Sequence, residues 1–414
     1  HQIDVLVGPP YPDPMPFANS VTAIPNERFW GKWFLRERRQ LIPRPRPLRI
    51  FEPLNFCELA ASYLGFLPEP LAFSVRAFRE VAARLRAGTH YDIIHDVQCL
   101  GYGILGIRKF GIPVVTTVHH PLTIDRRASF ERDESLREAI GTMGFYPVAM
   151  QGFVARRLDG LFTSSTVSAR KIRRDFRVPT ERIRMVANGV DIELFRPAPD
   201  AERNANEILC VGRASDPNKG IENLITSLAR LPHHLRLTLV DDDHPNNPAR
   251  KRARRLGCAD RLDITGRIDR DELVRRYQRA SLVVVPPRYE GFGLPAVEAM
   301  ACGTPVVACA AGALTEVVGA ADGGVLVPPD NPDALASAIA DLMARPEVRT
   351  ILGKRGSVRV SETYAWPRVA RATVGAYAEF IEDFRTRRGR PARMTTSDSP
   401  GSNRAMRPSP FRAN

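Results

Sequence analysis

The segment RYEGFGLPAVEAMACGTPVVA, Arg288 to Ala308, places two carboxylates, Glu290 and Glu298, around a glycine-rich turn with seven residues between them. Leu282 to Val285 reads as an apolar strand, and Pro286 to Gly293 as a loop at its carboxyl end. Pro295 suits the first turn of a helix and Gly303 the position just past its end. Such a loop empties into a helix amino terminus at the edge of a parallel sheet, where ligands bind. Free N–H groups and the helix dipole favour an anion such as phosphate there, and Gly291 and Gly293 let the backbone come close. A carboxylate repels phosphate but suits a diol, because it accepts two O–H hydrogen bonds at once. A ligand with phosphates between two polyols satisfies both demands, and that ligand is a nucleotide sugar. Taken alone, Glu298 reads equally well as an early-turn acid favoured by the dipole.

A second constellation is CVGRASDPNKGIENLI, Cys210 to Ile225, at the carboxyl end of another expected strand. Arg213 and Lys219 flank its polar loop and can converge on a diphosphate, arginine as a fork and lysine as a point charge. Apart from the glutamate motif the loop reads equally as a solvated surface. A third, VVTTVHHPLTIDR, ends a strand with His119 and His120. A histidine facing a cleft there can donate to an oxygen of a reacting sugar or orient an acceptor; either one also reads as a satisfied histidine at a strand end. No metal spacing joins them to His95 or Asp125. The acids of DDDHPNNP, Asp241 to Pro248, are consecutive and cannot all point into one octahedral site, so the stretch reads as a loop after LRLTLV. The basic run ARKRARR, Ala249 to Arg255, lacks the interleaved aromatics of a base-stacking surface and reads as a solvated helix face.

These residues need a scaffold, and the chain alternates strand and helix throughout, as a parallel α/β sheet requires. IDVLVG, YDIIHD, IPVVTTVHH, LFTSS and IRMVANGVD read as strands of a first half, and a loop rich in proline and polar residues follows from Val190 to Asn206. The alternation restarts at EILCVGRAS and runs to a final helix ending at Phe384. At 414 residues, two doubly wound halves in series are expected. The net charge is +14, and half of it lies beyond Phe384, in a tail rich in Arg, Ser, Pro and Gly that is expected to be disordered. That placement argues against a nucleic-acid-binding body. The cysteines show no metal spacing and read as buried thiols of a reducing compartment. No apolar run is long enough to span a bilayer. Trp30, Trp33 and Phe34 stand among Arg28, Lys32, Arg36, Arg38 and Arg39, a mixture suited to an anionic membrane surface and equally to an ordinary surface excursion.

The E-x7-E motif, the VGR…KG loop, the VANGVDIELFRP linker and the TVHH strand end together resemble the retaining glycosyltransferases of family 4. The likeness extends over His1 to Phe384 and is most distinctive from residue 208 to 320. It implies the GT-B fold, two facing Rossmann-like domains with a cleft between them. Their expected bounds are 1–195 for the acceptor domain and 207–364 for the nucleotide-sugar domain, with a linker at 196–206. A helix at 365–384 would cross back, and the tail would begin at 385. Expected site roles follow by position. Glu290 would contact hydroxyls of the transferred sugar, and backbone amides of Gly291, Phe292, Gly293 and Leu294 its oxygens and those of phosphate. Glu298 would take the ribose. Gly212, Arg213 and Lys219 would meet the diphosphate, the backbone of Arg267 and Ile268 the base, and His119 would be the active-site histidine. The co-substrate would be a UDP- or GDP-sugar, with no metal and no resident cofactor. The acceptor stays open among lipid, glycan and small molecule. The expected setting is cytoplasmic, with peripheral contact at the inner face of a membrane. The family usually opens with a strand, a glycine-rich loop and a helix. Here HQIDVLVGPPYPD reads as the second strand, so the first βα unit is expected to be missing, which bears on activity. A sugar-nucleotide epimerase and a non-catalytic nucleotide-sugar-binding protein are the rival readings; the first would need acid–base carboxylates that the first half does not offer.

Overall fold

The computed structural model describes residues 1–26, 42, 46–64, 66–130, 142, 145, 147–198 and 202–389. Arg28 to Arg39 and residues 390–414 fall outside them, and with them the expected membrane-facing segment and almost all of the basic tail. Among the described residues no helix is long and apolar enough to cross a membrane.

The second half contains β7 (Asn204–Val211), β8 (Arg236–Val240), β9 (Leu262–Ile264), β10 (Ala280–Val285), β11 (Val306–Cys309) and β12 (Gly324–Val327). They form one parallel sheet in the order β12-β11-β10-β7-β8-β9. Its apolar runs are long because both faces are covered: every residue of β10 and β11 is buried. The two-residue period of a strand sends Ile208 of β7 into one core, with Leu224, Leu239 and Ile339, and its neighbour Leu209 into the other, with Val283, Ala296 and Met300. The order reverses between β10 and β7, which opens a crevice at their carboxyl ends.

The first half holds β3 (Ile94–Val97), β4 (Val114–Thr117), β5 (Gly160–Thr163) and β6 (Ile183–Met185) in one parallel sheet, in that order. β1 (Asp4–Val7) and β2 (Ser20–Ala23) pair only with each other among the described residues, so they form a separate parallel ribbon beside that sheet. The ribbon is tied down from the end of the Glu69–Arg86 helix, where Tyr91 donates to Asp4 at 3.0 Å and Arg84 lies 3.8 Å from the same carboxylate. The helix Trp366–Arg387 leaves the second half and packs on the first. Phe380 meets Phe162 edge-to-face at 5.3 Å, and Arg184 pairs with Glu379 and Asp383.

Two expected boundaries and one expected burial change. β7 starts at Asn204, inside the expected linker, because Arg203 and Asn204 are already tied to the ends of β10 and its neighbours. The last helix continues to Arg387, past the expected end at Phe384. Cys57 is exposed on the Pro53–Tyr63 helix, so it is not one of the buried thiols; Cys210, Cys258, Cys302 and Cys309 are.

Candidate active site

Four loops leave the carboxyl edge of the second sheet side by side, following β10, β7, β8 and β9. The loop after β10 carries Glu290 to Gly293 and enters the Leu294–Ala301 helix, with Gly293 as its left-handed N-cap at φ 99° and proline in its first turn. The loop after β7 carries Gly212, Arg213 and Lys219. That after β8 carries Asp241 to Asn247, and that after β9 carries Arg267 and Ile268. Every expected donor residue therefore lies on one edge or, for Leu294 and Glu298, on the helix that leaves it.

The loops after β7 and β10 are locked together. Arg288 donates its N–H to the Asn218 carbonyl at 2.8 Å. Gly220, at φ 62°, lies so close to Pro286 that a Cβ there would stand 1.9 Å from the Pro286 oxygen. Only glycine allows that approach. Gly312 does the same on the other side, where a Cβ would stand 2.0 Å from the Glu290 carbonyl oxygen. That oxygen accepts the Ala313 N–H at 2.9 Å. The result is an ion pair: Lys219 Nζ lies 3.0 Å from Glu290 Oε2, the carboxylate 14% exposed and the ammonium 33%. Arg213 is exposed at the end of β7, and among the described residues it has no ion pair.

Glu298 is in the second turn of its helix, not the first, so the early-turn reading fails. Its carboxylate accepts the Tyr277 hydroxyl at 3.0 Å. Loss of solvent raises its pKa to about 7, against the Tyr277 hydrogen bond and Arg270, which lower it. The two glutamates thus face different partners, Glu290 the lysine and Glu298 a fully buried tyrosine.

The acids after β8 scatter, each to its own partner. Asp241 accepts from the Ala214 N–H and from Asn247, both at 2.9 Å, Asp242 from Arg267 at 2.8 Å, and Asp243 from Arg250. Among the described residues no three His, Cys, Asp or Glu side chains are grouped to hold a metal ion.

From the first half, His119 follows β4 and reaches this edge. Its N–H donates to Gln98 at 2.7 Å, and its carbonyl accepts from Ser168 at 3.2 Å. Partial burial, with His120 beside it, lowers its pKa, which keeps the imidazole neutral at pH 7. The Gly291 carbonyl accepts the Ser165 hydroxyl at 3.0 Å and lies 3.4 Å from those of Ser164 and Ser168. Glu316 of the second half binds two backbone N–H groups of the first, those of Thr166 and Val167, each at 3.0 Å. Sequence reasoning passed over Gln98, Ser165, Ser168, Tyr277 and Glu316, and read Asp241 only as a loop acid. Ser165, which ends LFTSS, was legible as a polar group at a sheet edge; Gln98, Ser168, Tyr277 and Glu316 gave no local signal.

Residues 1–194 match the family described as Glycosyltransferase Family 4, and residues 191–359 match Glycosyl transferases group 1. The first match begins at residue 1 and so does not show the missing leading unit. The chain is 37% identical over 387 residues to the MMP alpha-(1->4)-mannosyltransferase of Mycolicibacterium hassiacum, covering 92% of this chain and 91% of that protein. It is 31% identical to a D-inositol 3-phosphate glycosyltransferase of Kribbella flavida, with 76% and 77% covered. Among solved structures it resembles sucrose-phosphate synthase from Thermosynechococcus elongatus at 28% identity and a TM-score of 0.63, with 75% and 78% covered. It shares its fold with Anabaena HepE, solved in complex with UDP and glucose, at 20% identity and a TM-score of 0.60, with 74% and 81% covered.

Proposed function

This chain belongs to the group 1, family 4 glycosyltransferases of GT-B fold, and from that premise we propose that it moves a hexose from a nucleoside-diphosphate sugar to an acceptor hydroxyl, retaining the anomeric configuration and using side-chain cations in place of a metal. The observation that carries this reading is the Lys219–Glu290 pair, held at the crevice where β10 and β7 part. Before the donor binds, each ion neutralises the other. A diphosphate offers Lys219 more negative charge than one carboxylate, and the hydroxyls of a sugar offer Glu290 donors in its place. Arg213, exposed on the same loop, adds a second cation.

In the reaction the bond from the anomeric carbon to the diphosphate oxygen breaks. The acceptor oxygen bonds the same carbon on the face the leaving group vacates, and its proton passes to the departing phosphate oxygen. Negative charge grows on that oxygen, so the cations act where stabilisation lowers the barrier. Neutral His119 donates a hydrogen bond to the sugar from the other wall of the cleft. Glu298 holds the ribose, and the loop after β9 lies three strands further along the same edge than β10, where the base would rest. The mannosyltransferase relative supports mannose as the sugar moved, and the neighbour holding UDP and glucose supports a nucleotide sugar as donor.

A screen of UDP- and GDP-hexoses, read by released nucleoside diphosphate, tests the proposal. One donor should be turned over. With it, Glu290→Gln should lower kcat by about a hundredfold with little change in nucleotide affinity, and Glu298→Ala should weaken nucleoside diphosphate binding. Equal affinity losses in both variants at unchanged kcat would overturn the roles, and an inverted product would overturn retention.

A further inference from the structure

Two backbone groups at the amino terminus of the Thr166–Phe176 helix are bound by a side chain from the opposite half of the molecule. Glu316, on the Leu314–Ala321 helix, accepts from Thr166 N with Oε2 and from Val167 N with Oε1, both at 3.0 Å. Those N–H groups have no partner within their own helix, and the dipole at that end adds to the attraction for a carboxylate. The neighbouring N-cap residue, Ser165, uses both abilities of its hydroxyl. It accepts the Ser168 N–H at 3.1 Å and donates to the Gly291 carbonyl at 3.0 Å. A Cβ at Gly291 would stand 3.3 Å from the His119 carbonyl oxygen, so the two halves approach closely there.

The geometry of one peptide unit turns this contact into a catalytic consequence. In a trans peptide the C=O of one residue and the N–H of the next point in opposite directions across a plane. Once Ser165 holds the Gly291 oxygen toward the first half, the Phe292 N–H must point away from it, back toward the second half, where the donor loops lie. We propose that Glu316 is a positioning residue for transfer: it clamps the Thr166–Phe176 helix across the cleft, which seats Ser165 on the Gly291 carbonyl and aims the Phe292 N–H at the sugar of the donor. When the halves separate, the Gly291–Phe292 peptide is free to turn and the amide leaves the site. Closure and completion of the donor site are then one event. The inference rests on the reading that the donor occupies the loop at Glu290.

The test uses the full chain with one substitution from each side of the cleft. Glu316→Ala removes both hydrogen bonds. Thr166→Pro removes one donor from the other half; proline is tolerated at the first position of a helix, and Ser165 before it already has the extended backbone proline demands. Charge-assisted hydrogen bonds of this kind shift a closed-to-open ratio by about ten- to a hundredfold. In Glu316→Ala the radius of gyration without ligand, from small-angle X-ray scattering, should rise, and kcat should fall about ten- to a hundredfold. The affinity for UDP and GDP by calorimetry should stay within about threefold, because the carboxylate does not touch the nucleotide. Thr166→Pro should shift both quantities the same way by less, and Glu316→Gln, which keeps one acceptor oxygen, should recover part of the loss. Unchanged kcat and unchanged radius in both variants would overturn the proposal. So would nucleotide affinity falling in step with kcat, or kcat falling at constant radius. If the wild-type chain binds neither nucleotide, the functional reading fails by itself, and the change in radius still decides the clamp.

Discussion

Glu298 carries a cost that its Tyr277 hydrogen bond and Arg270 offset only in part. A partly buried carboxyl whose pKa sits at about 7, against about 4.5 when exposed, loses stability when it ionises. The unfolded chain gives up that proton first, so the penalty grows as pH rises from about 4.5 to 7 and is complete above 7, on the order of 3 kcal/mol. If Glu298 holds the ribose as proposed, the ribose hydroxyls donate in pairs only to its ionised form, and nucleotide binding expels the proton. Affinity for a nucleoside diphosphate should therefore rise with pH up to about 7 and level off. Glu298→Gln should flatten that rise and weaken binding, yet raise the thermal midpoint of the ligand-free protein at pH 8. A steep pH dependence surviving in Glu298→Gln would refute the assignment. Tyr277→Phe should move the midpoint of the rise to higher pH, because it removes the hydrogen bond that favours the ionised form. The identities of Glu290 and Glu298 and their spacing were legible in RYEGFGLPAVEA, including the helix start and stop around them. Tyr277 was not: it lies in YQRA, on the helix before β10, and nothing local marks a tyrosine as the partner of a carboxylate one strand later.

The C-terminal helix shows how an element distant in sequence becomes part of the first half. Trp366–Arg387 covers β5, where Gly160 leaves the space that Phe380 fills; a Cβ at Gly160 would stand 2.1 Å from the Phe380 ring. Beneath it His95 bonds Tyr377 through Nδ1 and Thr117 through Nε2 at 2.7 Å, and stacks on Phe162 at 5.0 Å. Burial lowers the His95 pKa to about 4, with a smaller effect of His119. A lowered histidine favours the neutral form, so its contribution is complete above about pH 6.5 and is lost as pH falls from about 6.5 to 4, on the order of 3 kcal/mol. The thermal midpoint should fall through that window in the wild type and fall less in His95→Gln. An identical acid profile in the variant would show that His95 does not control this contact. The alternation of strand and helix was legible along the chain, and so was the final helix. Its crossing back was expected from the resemblance, but its seat was not legible, because Phe380 and Tyr377 read as any apolar stripe until β5 and β3 are brought beside them.

For the whole molecule, the question is what carries the leaving-group charge. Arg213 and Lys219 stand on one loop, and the acids nearby are already distributed among Asn247, Arg267 and Arg250. Transfer should persist in excess EDTA, whereas the Arg213→Ala, Lys219→Ala double variant should lose about a hundredfold or more in kcat. Activity abolished by EDTA and restored only by Mn²⁺ or Mg²⁺ would refute the metal-free reading, and wild-type rates in the double variant would refute the role of the cations. The second half is the more regular of the two. Its six strands form one sheet, while the first half divides into a four-stranded sheet and the β1–β2 ribbon held by Arg84 and Tyr91.

What the sequence determined by itself was local: apolar runs that bury as parallel strands, glycines and prolines that bound the Leu294–Ala301 helix, and a carboxylate pair around an anion-favouring turn. From these the α/β class, the two halves and the family resemblance all follow, because strand period, helix caps and loop chemistry are decided within a few residues. What only the tertiary structure decided was which charges meet. Lys219 finds Glu290 because β7 and β10 are neighbours at the reversal of strand order, although 71 positions separate them. Glu316 finds the Thr166 amide across 150 positions because two separate sheets face each other over a cleft. A sequence states that a glutamate and a free helix end exist; their attraction falls off over a few ångströms, so only the folded arrangement of the sheets determines that they touch.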